Sequence, residues 1–146
     1  MFESDQDNQQ PSFFNLQVDG IGYLNRVRTI HAQKGQAFMA CTVSALRGMG
    51  SEVGYTKFDC RVSGEDAQLI ISRLEGDIAA DKAVLIGFRI VDIYPELFTF
   101  EKGDKKGQPG ISIKGRLLRI KFAKVNGEPI ALPPPVWLRE RDINPF

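Results

Sequence analysis

Apolar and polar positions alternate along most of this chain, and the places where the alternation slips carry as much information as the runs that keep it. From Gly20 to Ile30 the pattern is that of a strand. Tyr23 and Val27 share one parity while Leu24 takes the other, which predicts a long, bent strand with a bulge. The turn Gln33-Lys34-Gly35-Gln36 leads into Ala37–Leu46, with Met39, Cys41, Val43 and Ala45 on one face and Phe38, Ala40, Thr42 and Ser44 on the other. A glycine-rich loop from Arg47 to Gly54 follows. Tyr55 to Val62 alternates again, with Phe58, Cys60 and Val62 inward and Tyr55, Lys57, Asp59 and Arg61 outward.

The period then changes once. Ala67, Ile70, Ile71 and Leu74 recur at helical spacing, Ser63 stands where a variant capping box begins, and Gly76 is a stop signal. Glu65 and Asp66 favourably oppose the positive end of that helix. Ala83 to Tyr94 is a strand rich in branched residues, and Pro95 forces a break or an edge position. Leu97–Phe100, a loop over Lys102–Gly110 and a last long strand over Ile111–Val125 complete the body. In that strand the outward parity moves from Lys114 and Arg116 to Arg119 and Lys121, which predicts a second bend.

Three strands, one helix and two further strands are the layout of the OB-fold, an all-β five-stranded Greek-key barrel with a helix between strands 3 and 4. A half-open sheet with the helix on one side fits the same order. The barrel is preferred because it gives the bends in the first and last strands a reason. Residues 1–12 read as a polar, acidic flexible leader, 13–127 as the folded domain, and 128–146 as a proline-rich tail containing Pro133-Pro134-Pro135.

A chain of 146 residues has room for one such domain, and 42% hydrophobic with 25% charged residues is ordinary for a folded protein. No apolar run approaches the roughly 20 residues that span a bilayer, and the N-terminus lacks the basic start and apolar stretch of a secretory signal, so the expected compartment is the cytoplasm with no membrane partner. One histidine and two cysteines leave no material for a zinc cluster and little for a triad. The reading is therefore of a non-enzyme with no cofactor and no metal. Cys41 and Cys60 are expected as a buried reduced pair, and His31 as a surface residue.

The net charge of +1 conceals an uneven distribution. Gly20–Gly127 holds 17 Lys and Arg against 11 Asp and Glu, and the flanks supply the balancing acids. A basic body points to a polyanionic partner. Single-stranded nucleic acid is held by rings that stack on bases and cations that follow phosphates. The outward positions supply both in Arg26, Arg28, Phe38, Tyr55, Lys57, Arg61, Tyr94, Phe98, Phe100, Lys114 and Arg116. Phe98 and Phe100 lie two residues apart and lead into a hairpin tip with Lys102, Lys105 and Lys106. Taken singly, phenylalanines are usually core and turn lysines usually just solvated; the combination is what points to a binding face.

The runs Gly20–Arg28, Phe58–Gly64, Val84–Arg89 and Phe100–Gly110, followed by Lys114–Leu118, resemble the replication-associated proteins of bacterial integrative conjugative elements, a family similar to bacterial single-stranded-DNA-binding proteins. The resemblance covers about Phe13 to Gly127. It implies single-stranded-DNA binding in replication or transfer of a mobile element by a homo-oligomer, with Phe98 and Phe100 near the hairpin's stacking aromatic. The body has no tryptophan, so stacking would rest on Phe and Tyr. Asp142, Ile143, Pro145 and Phe146 resemble the acidic tip with which those proteins recruit replication and repair partners, here with Asn144 inserted and with Arg139 and Arg141 in place of acids. The alternative is an OB-like adaptor for replication or conjugation proteins with weak or no DNA binding, motivated by the missing tryptophan and the nearly neutral total charge.

Overall fold

The computed structural model describes Phe14 and residues 16–134. The leader 1–12 and the tail residues Asp142, Ile143, Pro145 and Phe146 lie outside the described residues. The element order is β1 (Gln17–Ile30), β2 (Phe38–Arg47), β3 (Gly54–Val62), α1 (Glu65–Ala79), β4 (Val84–Thr99), β5 (Pro109–Val125) and β6 (Glu128–Ile130). β1 pairs with β2 and β4, β2 with β3, and β4 with β5, all antiparallel. Parallel pairing of β3 with β5, Phe58 opposite Ile113 through Val62 opposite Leu117, closes these five strands. The result is the OB-type barrel, with its helix between β3 and β4.

The inward parities fill the barrel. Val43, Phe58, Phe88, Ile90 and Leu117 belong to one buried cluster with Leu24 of β1. Phe88 is fully buried, and its ring lies over Gly20, its register partner, where an added Cβ would stand 3.0 Å from the ring. α1 buries Ala67, Ile70, Ile71 and Leu74 on the same core. Each large aliphatic so buried contributes about 1.5–3 kcal/mol.

Bulges bend the strands where parity slipped. The β1–β2 register shifts between Asn25 and Arg28, and Arg26 there has φ of 51°. On β5, Leu118 and Lys121 are the extra residues against β4, which accounts for the change of outward parity along that strand.

Three expectations need correction. The N-cap of α1 is Gly64, not Ser63, and no side chain caps it; the Ser63 amide is instead bonded to the Leu117 carbonyl at the β3–β5 seam. The helix also runs past Gly76 to Ala79, because Ile78 packs against the core and outweighs the roughly 1 kcal/mol that a helical glycine costs. Finally, the folded unit does not end at Gly127. β6 returns along β5 through a turn at Asn126 and Gly127, both at positive φ, and Leu132 packs on the core.

Beyond Asp92, whose amide still bonds the Leu16 carbonyl, β4 has β5 on one side only, so Pro95 occupies an edge strand and the strand continues through it to Thr99. This two-stranded arm projects from the barrel, carrying Tyr94, Glu96, Phe98 and Phe100 on one face by parity and Pro95, Leu97 and Thr99 on the other. No helix among the described residues is long and apolar enough to cross a membrane.

Candidate nucleic-acid interface

The outer surface of β1, β2 and β3 is laid out in rows by register. Arg28, Ala40 and Arg61 form one row; Asn25, Thr42 and Asp59 form the next. The β3–β5 pairing extends them, setting Asp59 beside Lys114 and Arg61 beside Arg116, and β4 adds Tyr94 opposite Lys114. The small side chain at Ala40 leaves a depression between the longer ones. The resulting groove, about 330 Å³, is lined by Arg28, Phe38, Arg61, Tyr94 and Lys114 among others. Five candidate residues, one from each of the five barrel strands, thus meet in one place.

Asp59 anchors that groove. Its Oδ1 accepts from Arg28 Nη2 at 2.6 Å and its Oδ2 from Lys114 Nζ at 2.9 Å. Burial opposes ionisation of Asp59, but these two hydrogen bonds outweigh it and hold the carboxyl below the usual range. The same bond raises the pKa of Lys114. Arg61 lies over the Phe38 ring, 4.3 Å from its centroid, a cation–π contact that holds both side chains at the groove's edge. Phe38 is half-buried and Tyr94 is exposed.

The aromatic face of the arm continues from Tyr94. Phe98 and Phe100 pack edge to face with centroids 4.8 Å apart, and Lys105 sits 5.6 Å from the Phe100 centroid. Gly110 makes this possible: a Cβ there would lie 2.6 Å from the Phe98 ring and 2.8 Å from that of Phe100. Phe98 is 40% exposed and Phe100 half-buried, so part of the pair's ring surface faces solvent. Lys102 and Lys106 are exposed at the hairpin.

The family model of DUF3577, described as proteins of unknown function, matches residues 7–134, a span that holds the groove, the arm and all six strands. The chain belongs to DUF3577. No curated protein and no solved structure matches it.

Not every candidate joins the groove of this DUF3577 barrel. Tyr55 and Lys57 are exposed on the outer face of β3, but Tyr55 packs near Tyr23, at 6.4 Å between centroids, about 20 Å along the strand from Arg61. Arg26 is exposed at the β1 bulge, where its carbonyl accepts from Arg28 Nη1. Arg116 adjoins the groove beside Arg61 and reaches Asp92 at 3.3 Å.

Two features of the DUF3577 chain escaped the pattern reading. In the sequence Asp59 shows only as an outward acid between Lys57 and Arg61. The second is a separate group of cations, Arg89, Arg119 and Lys121, on the outer face of β4 and β5. Arg89 and Lys121 both bond Asp19 Oδ1, at 2.8 and 3.0 Å, and these bonds lower the Asp19 pKa.

Cys41 and Cys60 are direct cross-strand partners, both buried and both free thiols. Burial pushes Cys41 up to about 12 and raises Cys60 as well, so neither presents a thiolate near neutral pH. His31 is exposed. Among the described residues no group of three or more His, Cys, Asp or Glu comes together as a metal site.

Proposed function

We propose that this DUF3577 protein is a non-enzymatic, cytoplasmic binder of single-stranded DNA. The observation that carries the reading is the groove: Phe38 and Tyr94 flank Arg28, Arg61 and Lys114 on the outer β2–β3 face that OB barrels use for oligonucleotides. The arm prolongs it with Phe98, Phe100 and three lysines. Bases stack on the rings and phosphates run along the cations, each engaged ring contributing roughly 1–3 kcal/mol. The role in replication or transfer of a mobile element, and the homo-oligomeric state, follow from the sequence resemblance alone.

Anisotropy of labelled oligo-dT at several salt concentrations tests this. A strand neutralised at about five phosphates gives a log–log salt slope of roughly −3.5. Absence of binding at low salt ends the proposal. Oligo-U in parallel separates DNA from RNA preference, since stacking accepts both and only contacts to the 2′-hydroxyl discriminate.

One observation favours the adaptor reading. On the back of the arm Leu97 is 75% and Ile111 68% exposed, directly opposite each other across the two strands. An apolar pair so placed suits a protein partner. Changing both to Ser removes such a partner while leaving oligonucleotide affinity intact.

A further inference from the structure

A cleft of about 510 Å³ lies between α1 and the C-terminal half of β5 and shares no lining residue with the groove. Its apolar lining includes Ile70, Leu118, Ile120 and Leu132. Leu118 is the anomaly. As the extra residue of a β5 bulge it turns outward, and it stays 39% exposed in the cleft instead of joining the core. Arg119 beside it has no hydrogen-bond or ion-pair partner among the described residues, whereas Arg89 and Lys121 are tied to Asp19.

Leu132 and Pro133 form part of the cleft wall, so the chain beyond Pro134 sets out from its mouth. The next residues are Pro135, Val136, Trp137 and Leu138, and Trp137 is the one tryptophan of the sequence. At no more than about 3.6 Å per residue, Trp137 lies within about 14 Å of Pro133 along the chain. Two intervening prolines further narrow its directions. An apolar Val-Trp-Leu run is thus tethered beside an apolar cleft with an outward leucine. The charges are of complementary kinds as well: the sequence continues Arg139-Glu140-Arg141, and the cleft lining carries both signs in Asp66 and Arg119.

We infer that residues 136–138 dock into the cleft between α1 and β5 of their own chain, with the Trp137 ring against Leu118. The short tether favours this over a second copy, because it holds the segment at an effective concentration in the millimolar range. Docked there, the segment covers the barrel's second group of cations and leaves the groove and the arm open.

Intrinsic fluorescence of the full chain tests the inference directly, since its tryptophan signal comes from one residue. Expected are emission blue-shifted from that of the urea-unfolded chain, reduced quenching by acrylamide, and no change on dilution. Leu118→Glu places a charge in the cleft and moves the emission to the unfolded position while far-UV circular dichroism is unchanged. Leu118→Gln does the same if the carboxylate disturbs the sheet. Native emission that coincides with the unfolded chain's, or a blue shift that survives both substitutions, overturns the inference. So does a blue shift that vanishes on dilution together with a halving of the solution mass, which assigns the cleft to a second copy.

Discussion

Asp59→Asn separates two consequences of one carboxylate, and they have opposite signs. In the folded chain Asp59 accepts from Arg28 at 2.6 Å and from Lys114 at 2.9 Å, with all three side chains a little under a third exposed. A hydrogen bond to a charged group is worth about 1.5–3 kcal/mol when buried, and an exposed ion pair 0–1 kcal/mol. At this intermediate exposure the amide, which keeps one acceptor and loses the charge, costs about 1–2 kcal/mol of stability. For a domain of this size that lowers the melting temperature by roughly 3–8 °C. Affinity moves the other way. Asp59 offsets one of the three cations lining the groove, Arg28, Arg61 and Lys114. Removing a unit negative charge about 6 Å from a bound phosphate, at an effective dielectric between surface and bulk values, gains about 1 kcal/mol, or about five-fold in affinity. The salt slope steepens by up to about 0.7 if one more phosphate is neutralised. Thermal melts and oligo-dT anisotropy read the two effects on the same sample. A folded Asp59→Asn protein that binds no more tightly, with an unchanged slope, refutes the argument that this groove is where phosphates sit.

Other perturbations report on separate parts of the account. Phe98→Ala with Phe100→Ala should weaken oligonucleotide binding by roughly 2–6 kcal/mol, at about 1–3 kcal/mol per ring, without loss of the barrel, because the pair lies on the arm and outside the core; unchanged affinity removes the arm from the interface. The Asp59 clasp stabilises fully above the ordinary carboxylate pKa of 3.8, and the contribution fades as pH falls through the lower folded value. Melting temperature against pH should therefore fall more steeply below about pH 4 for the native chain than for Asp59→Asn; parallel curves contradict the clasp. Cys41 and Cys60 should resist alkylation at neutral pH until the chain is unfolded, and rapid labelling of native protein would mean that the β2–β3 pair opens readily.

How much of this is legible in the sequence follows from which interactions are local. Alternation along β2 and β3, the helical spacing of Ala67, Ile70, Ile71 and Leu74, and the parity slips at Val27 and after Arg116 are consequences of one strand or helix facing one core, and a single segment displays them. The end of α1 is hidden from a local reading because Gly76 looks like a stop, whereas what extends the helix is burial of Ile78 against strands far away in sequence. β6 had a local signal, since Asn126-Gly127 is a strong hairpin turn, but the prolines that follow made the segment read as a tail. The groove was legible only as a set of types. Its assembly depends on the parallel β3–β5 pairing, which sets Asp59 beside Lys114, 55 residues later, and no local pattern encodes that neighbour. The same pairing left Tyr55 and Lys57, equally outward and equally suitable by composition, at the far end of the face.

Photo-crosslinking of oligo-dT to the full chain, with the modified residues identified by mass spectrometry, tests the central claim most directly. Crosslinks at Phe38, Tyr94, Phe98 or Phe100 are the predicted result. Crosslinks confined to α1 and β6, or to Tyr55 at the distal end of β3, would contradict it.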